Sequence, residues 1–459
     1  METIVKSEST LELFFQRQAM TFKLAWIAFL VLVLLIPVGM VKSLLHERTG
    51  RRDAAVSEMT FSWAGEQTIA GPVLVIPYRY VVKNWKEETV NGKPERFEVE
   101  ETLTAEAFFL PDSMSIEGSI EPSLLHRGIY DAVVYNGALE ISGQFSPPDF
   151  TELDIDPVNV LWDKSSVTFA IQDLRGAAEM LTVTIGDTPY EFKPGSKLTG
   201  YSSGIIARLP NLSRDSVSDY RMHLEIKGSR GIYFTPVGKQ NRVKLSSPWT
   251  APSFQGSYLP TTRGVTDDGF EALWEVSWYG RGYPQQSTNR DSSCALNADR
   301  LSGSRFGVNF IVPLDSYRMV ERSIKYAALF IILVFAAFFI FESFYQLKIH
   351  TIQYTLIGVA LCLFFLAVLS LSEFFHFFYA YWTGALASAL LVILYSLSVL
   401  KRAVRAATVG VILLATYTYL YVILQLQDYS LLFGTVGLFA ALAVVMYVTN
   451  KMDAVKRMP

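Results

Sequence analysis

Apolar residues in this chain are gathered into long runs with little or no charge. One run covers Leu24–Val41, and five more follow one another as Tyr326–Leu347, Thr351–Ser372, Phe374–Leu400, Ala406–Gln427 and Tyr429–Asn450. A helix needs about 20 apolar residues to cross roughly 30 Å of hydrocarbon, so each run predicts a transmembrane helix. The second run is interrupted only by Glu342 and the fourth only by His376. Lys23 and Lys42 flank the first run and can reach outward along their stems, and Pro37 is tolerable inside a membrane helix.

Residues 42–325 have a different texture. Short β-branched and aromatic runs alternate with Gly, Pro, Asn and Asp turns, the pattern of strands. Val73–Ile76, Ala107–Leu110, Val167–Ile171, Leu181–Ile185, Met222–Ile226 and Ala272–Trp278 are the clearest. A helical period is convincing only over Arg52–Ala64 and again leading into the second apolar run. The expected fold class is therefore membrane α-helical, with six transmembrane helices and a large β-rich domain between the first and second. One large sandwich and two smaller lobes are both open. A weak echo, Gly143-Gln-Phe145-Ser-Pro147 and Gly256-Ser-Tyr258-Leu-Pro260, favours two lobes. Trp162, Trp249, Trp274 and Trp278 are expected in the core of that domain.

Charge adds direction. Only 18% of residues are charged, against roughly 25% in soluble domains; the deficit sits in the six runs. Basic residues in short loops mark the cytoplasmic side. Lys6, Arg17 and Lys23, then Lys348, then Lys401, Arg402 and Arg405, then Lys451, Lys456 and Arg457 would share that side, while the intervening short loops hold Glu373 and Asp428 and no Lys or Arg. Lys42, Arg48, Arg51 and Arg52 oppose this arrangement, but long translocated domains obey the rule weakly. The expected layout is a cytoplasmic tail 1–23, a first span 24–41, a periplasmic β-rich domain 42–325, a five-helix bundle 326–450 and a cytoplasmic tail 451–459. The leader carries Glu2, Glu8 and Glu12, and no small-x-small site follows the first run, so the run is expected to be an uncleaved anchor.

Residues 42–325 hold 30 Lys/Arg and 36 Asp/Glu, a net of −6. That excludes the basic footprint of a nucleic-acid binder. The two cysteines, Cys294 and Cys362, fall in different regions; no internal disulfide or cysteine-built zinc site is expected.

Candidate chemistry is sparse. Gly200-Tyr201-Ser202-Ser203-Gly204 matches the G-x-S-x-G elbow, which has meaning only between a strand and a helix. A turn precedes it, Pro210 follows closely, and His223 is too near in sequence to serve as the usual late base. A plain Gly/Ser loop is the expectation. No metal-ligand spacing and no phosphate-cradling glycine motif occurs, so no cofactor and no metal are expected. The ionisable residues next to hydrocarbon are more informative, because such groups are costly there. Glu373 and His376 stand at i, i+3 and would share a face if the helix continued through them. Asp428, Gln425 and Tyr421 belong to the other outer loop, preceded by Tyr417 and Tyr419. These residues form a candidate functional cluster, against the alternative that polar residues merely end helices and Tyr forms a belt. Glu342 and His350 are ionisable positions at the opposite interface, where Glu342 is expected to pair with Lys348 or a loop Arg.

Several segments resemble the CreD family of bacterial inner-membrane proteins in order and spacing. They include Ser62-Trp-Ala-Gly-Glu-Gln-Thr68, Gly71-Pro-Val-Leu-Val-Ile-Pro-Tyr78, Asp173-Leu-Arg-Gly176, Ser247-Pro-Trp249 through Pro260, Phe341-Glu342, Ile349-His350-Thr-Ile-Gln-Tyr354, Ser370-Leu-Ser-Glu373 and Gln427-Asp428-Tyr429. Thr351 departs from the family pattern, which has Pro after His350. The resemblance implies an inner-membrane location, a link to cell-envelope integrity and two-component signalling, and effects on colicin tolerance and β-lactam response. It supplies no catalytic residues. The expected function is an envelope-integrity or stress-response protein, not an enzyme. Its partners would be the lipid bilayer and an envelope protein, glycan or lipid. A transporter or lipid-handling permease, and an envelope hydrolase, are the alternatives.

Overall fold

The computed structural model describes residues 10–90, 93–177, 180–201, 203–210, 212, 219–290, 296–312, 316–345, 349–400, 402–426, 429, 432–437, 439, 443 and 446. The chain forms two compact units, one of Met1–Asp53 with Leu314–Pro459 and the other of Ala54–Pro313.

The first element, α1, is a helix of 54 residues, Thr10–Trp63. The expected span and the expected helix over Arg52–Ala64 are thus parts of one element. The stretch between them consists largely of good helix formers, and Glu47 pairs with Arg51 one turn later at 2.7 Å. At ~1.5 Å per residue such a helix exceeds the hydrocarbon thickness by far.

The strands then follow as β1 Gln67–Val90, β2 Lys93–Phe109, β3 Ser113–Arg127, β4 Tyr130–Gln144, β5 Ser166–Ile171, β6 Thr182–Ile185 and β7 Thr188–Glu191. Next come β8 Lys193–Pro194, β9 Gly204–Arg208, β10 Asp219–Ser229, β11 Gly231–Phe234, β12 Gln240–Ser247 and β13 Pro252–Gly256. The last are β14 Thr262–Thr266, β15 Gly269–Ser277, β16 Gln286–Thr288 and, after the short helix α2 Ala298–Gly303, β17 Phe306–Phe310. All six segments read as strands lie in or within one residue of a strand.

They build two sheets. One runs β13-β17-β11-β1-β5-β9-β8, with β2 on β1 and β16 on β2; the other runs β14-β15-β12-β3-β4-β10-β6-β7. The pairs β1–β11 and β3–β12 are parallel. In β10 buried and exposed residues alternate, while every residue of β5 is buried; a strand with one wet face alternates, and one covered on both faces does not. A single apolar core lies between the sheets. Trp274 of β15 packs against Phe254 of β13 and Phe306 of β17, with ring centroids 5.7 and 5.8 Å away. The two alternatives for this region thus resolve, among the described residues, into two sheets on one core. Trp274 is fully buried and Trp162 and Trp249 pack against the core, but Trp278 is 38% exposed. It lies beside Tyr279, with Lys239 over its ring, so its assignment to the core is corrected.

Family-like motifs distant in sequence meet where α1 gives way to β1. Gly65 N–H donates to Asp173 Oδ2 at 2.9 Å, and Arg175 grips the same carboxylate while its Nη1 donates to Phe61 O at 2.7 Å. The Arg175 guanidinium holds the Asp173 carboxyl at about 2, well below the usual carboxylate range. The amide of Gln67 donates to Asp173 O and Lys227 O.

The helical unit continues with α3 Ser316–Lys325, α4 Ala327–Tyr345, α5 Thr351–Leu371, α6 Phe377–Leu400 and α7 Ala403–Gln425. Among the described residues, four helices are individually long and apolar enough to cross a membrane, including the N-terminal one, and a fifth span arises if α3 and α4, bent by 50°, are taken together. The helix predicted to lead into the second run is α3. Its buried face, Met319, Val320 and Ile324, joins the apolar core of the helical unit, as does Leu45 of α1. Most of the sixth run lies outside the described residues; positions 432–437, 439, 443 and 446 within it are helical.

Candidate functional site

At one end of the helical unit the predicted outer cluster takes a different form. Helix α5 stops at Leu371 and α6 begins at Phe377. The helix does not continue through Glu373 and His376, so the shared face expected of them is not formed. The physical reason is the polar Ser372-Glu373 pair: Ser372 donates to Leu369 O at 2.9 Å, closing the last turn. Glu373 lies in the following turn with its side chain only 9% exposed. It forms an ion pair with Arg48 of α1 at 3.6 Å and accepts from the Tyr317 hydroxyl at 3.3 Å. Arg52 lies over the Tyr317 ring. His376 is exposed, and its Nδ1 accepts from Phe378 N–H at the start of α6. Asp428 lies outside the described residues. Gln425 donates to the Tyr421 hydroxyl at 2.7 Å, and Arg322 caps α7 by donating to Leu426 O at 3.1 Å. Hydropathy could not have named Arg48 as Glu373's partner: it had counted only as an exception to the charge rule.

The opposite end is held by Glu342. It is buried, and its carboxylate accepts from Lys23 Nζ, from Ile349 N–H at 3.1 Å and from the Tyr354 hydroxyl at 2.9 Å. Lys23 also donates to Ile349 O at 3.0 Å. The expected partner, Lys348 or a loop Arg, is corrected to Lys23; Lys348 itself lies outside the described residues. His350 stands exposed before α5, its N–H donating to Gln353 Oε1 at 3.0 Å.

Between these ends lies a third polar group. The Tyr417 hydroxyl and Ser388 Oγ are 2.8 Å apart, Ser388 donates to Ala360 O, and Tyr381 donates to Tyr417 O. Tyr417 is fully buried among Phe330 and Phe364. It belongs to the bundle core and not to an interfacial belt. A groove of about 400 Å³ between α5 and α6 is lined by Leu356, Val359, Leu363, Leu391 and Tyr395, and is almost wholly apolar.

In the β-rich unit the G-x-S-x-G segment leads from a loop into β9. An elbow needs a strand running directly into the serine and a helix after it, and the described residues give a loop before it and the strand β9 after it. Ser202 itself lies outside the described residues. His223 stands in β10, in the other sheet, where its Nδ1 is 2.6 Å from Glu140; that bond raises the His223 pKa above its ordinary value. Gly200, Tyr201 and Ser203 instead line a polar cleft of about 290 Å³ with Thr68, Gln172 and Arg305. Composition gave no signal for this cleft, because its residues come from four separate segments.

Residues 19–455 match the model of the family described as Inner membrane protein CreD. The chain belongs to the CreD family. Inner membrane protein CreD of Escherichia coli (strain K12) is 29% identical over 424 residues, covering 92% of this chain and 91% of that protein. The resemblance read from the motifs is therefore shown over nearly the whole chain. Together with the apolar helices it places this CreD-family chain in the inner membrane as a multi-pass protein of the envelope.

Proposed function

We propose that this protein maintains the cell envelope by binding an envelope component through its β-rich unit, with the helices as anchor. In this reading the chain crosses the membrane six times, both termini are cytoplasmic, and the β-rich unit is extracytoplasmic. One observation carries it. In the helical unit the carboxylates of Glu342 and Glu373 and the hydroxyls of Tyr417 and Ser388 are taken up by partners within that unit, whereas the β-rich unit presents an open polar cleft. Buried groups satisfied in this way order a bundle and leave little capacity for a substrate. The basic residues of the short loops support the orientation, and the acidic balance of the domain fits a partner other than nucleic acid.

Complementation tests the proposal. A strain lacking the protein is placed under envelope stress and supplied with wild type, with Glu373→Ala/Asp428→Ala, or with the β-rich unit on its first span alone. Rescue by the single-span form is the expected result. Failure of both variants at normal protein levels would move function to the carboxylates of the bundle, as a permease requires.

A further inference from the structure

The cleft of the β-rich unit has a defined chemistry. Its floor is set by Gly200, which adopts φ +86° and whose Cβ, if present, would lie 2.9 Å from Ala298 Cβ. Only glycine permits both the left-handed backbone and this approach. Ala298 N–H donates to Thr199 O at 2.9 Å, so the loop is seated on α2. Across the cleft stands Arg305, just before β17. Its Nη1 donates to Glu66 at 3.0 Å and to Thr68 Oγ1 at 3.3 Å, and its guanidinium lies 4.5 Å from the centre of the Tyr233 ring. These contacts hold the guanidinium plane. The Nε and Nη2 donors make no hydrogen bond among the described residues, and the side chain is 37% exposed.

That leaves the two-nitrogen edge of a fixed guanidinium open to the cleft. This edge matches the two oxygens of a carboxylate. Ser203 Oγ and the Gln172 amide add neutral donors, and none of the described lining residues is acidic. Glu66 already offsets the Arg305 charge, so a monoanion suits the site better than a doubly charged phosphate. The volume lies at the lower end of ligand pockets, which begin near ~300 Å³, and fits a single sugar or amino-acid unit.

We propose that this cleft binds a carboxylate-bearing small ligand, with Arg305 Nε and Nη2 donating to the carboxylate. The proposal rests on the reading that the β-rich unit binds an envelope component, and names the chemical class.

The test uses the full chain in lipid nanodiscs, free of sugar-based detergent, with binding followed by saturation-transfer NMR. The probes are N-acetylmuramate, N-acetyl-D-alanine, N-acetylglucosamine and inorganic phosphate. At least one of the two carboxylates should bind saturably, and the neutral sugar and phosphate at least tenfold more weakly. Which carboxylate binds tells a sugar acid from a peptide-type terminus. Arg305→Lys keeps a cation for Glu66 but loses the paired donors, and should weaken binding at least tenfold. Gln172→Glu, at an exposed position, should do the same by repulsion. Absence of binding by both carboxylates, equal binding of N-acetylglucosamine or phosphate, or full affinity in the folded Gln172→Glu protein would overturn the proposal. Rescue by the single-span form without carboxylate binding would remove the ligand class and leave the envelope reading intact; binding without rescue would do the opposite.

Discussion

Glu342→Ala is expected to destabilise the helical unit by about 3 kcal/mol, the lower end of the cost of breaking a buried ion pair from one side, because the Lys23 partner is only part-buried. The substitution removes one carboxylate, strands the Ile349 N–H and the Tyr354 hydroxyl, and leaves Lys23 Nζ with Ile349 O alone. Water reaches such groups poorly next to hydrocarbon, so their loss is not repaired by solvation. Glu342→Gln keeps an acceptor oxygen for Ile349 and should cost clearly less. Lys23→Met combined with Glu342→Gln removes both charges and should recover part of the loss seen in Glu342→Ala. Thermal unfolding of the detergent-solubilised protein reads the order. Equal stability of Glu342→Ala and wild type would show that the pair does not hold this end of the bundle.

Gly143→Ala should be among the more damaging single-methyl additions in the β-rich unit. A Cβ at this position of β4 would lie 2.0 Å from Ser113 O and 2.4 Å from the Tyr220 hydroxyl. Tyr220 is fully buried and crosses over Gly143 to donate to Ser113 O at 3.1 Å. Overpacking costs about 1–3 kcal/mol, and a buried hydroxyl forced off its acceptor adds about 1–3 kcal/mol. Backbone on one side and a locked ring on the other leave no cheap relaxation. Gly137→Ala in the same strand meets the tip of Ile120 at 2.8 Å, a side-chain end that can rotate away, and should cost less. Near-ultraviolet circular dichroism melts of the two variants test the ranking; the reverse order would show that Tyr220 is free to move.

The sequence made these features legible to different degrees. Spans were readable because an apolar run of membrane length has few alternatives. Strands were readable because turn residues bracket each β-branched run. Partners were not. Lys23 and Glu342 are 319 positions apart, and no periodicity links positions so distant. Arg48 was visible only as a charge on an unexpected side, and the contact with Glu373 gives it a structural role. The i, i+3 reading of Glu373 and His376 assumed a continuous helix, and the turn over 372–376 removed that premise. Trp278 looked like core because Ala272–Trp278 alternates like a strand, yet β15 ends one residue earlier, at Ser277. The cleft at Arg305 could not be read at all, since it forms only when β1, the loop before β9, and α2 come together.

Sidedness of the β-rich unit is the most direct test of the central claim. Val265 in β14 is 50% exposed, and Cys362 is buried. In a Cys294→Ser background, Val265→Cys supplies a single surface thiol. Intact spheroplasts are treated with a membrane-impermeant maleimide. The account predicts full labelling before lysis. Labelling only after lysis would place the β-rich unit in the cytoplasm and contradict the proposed role.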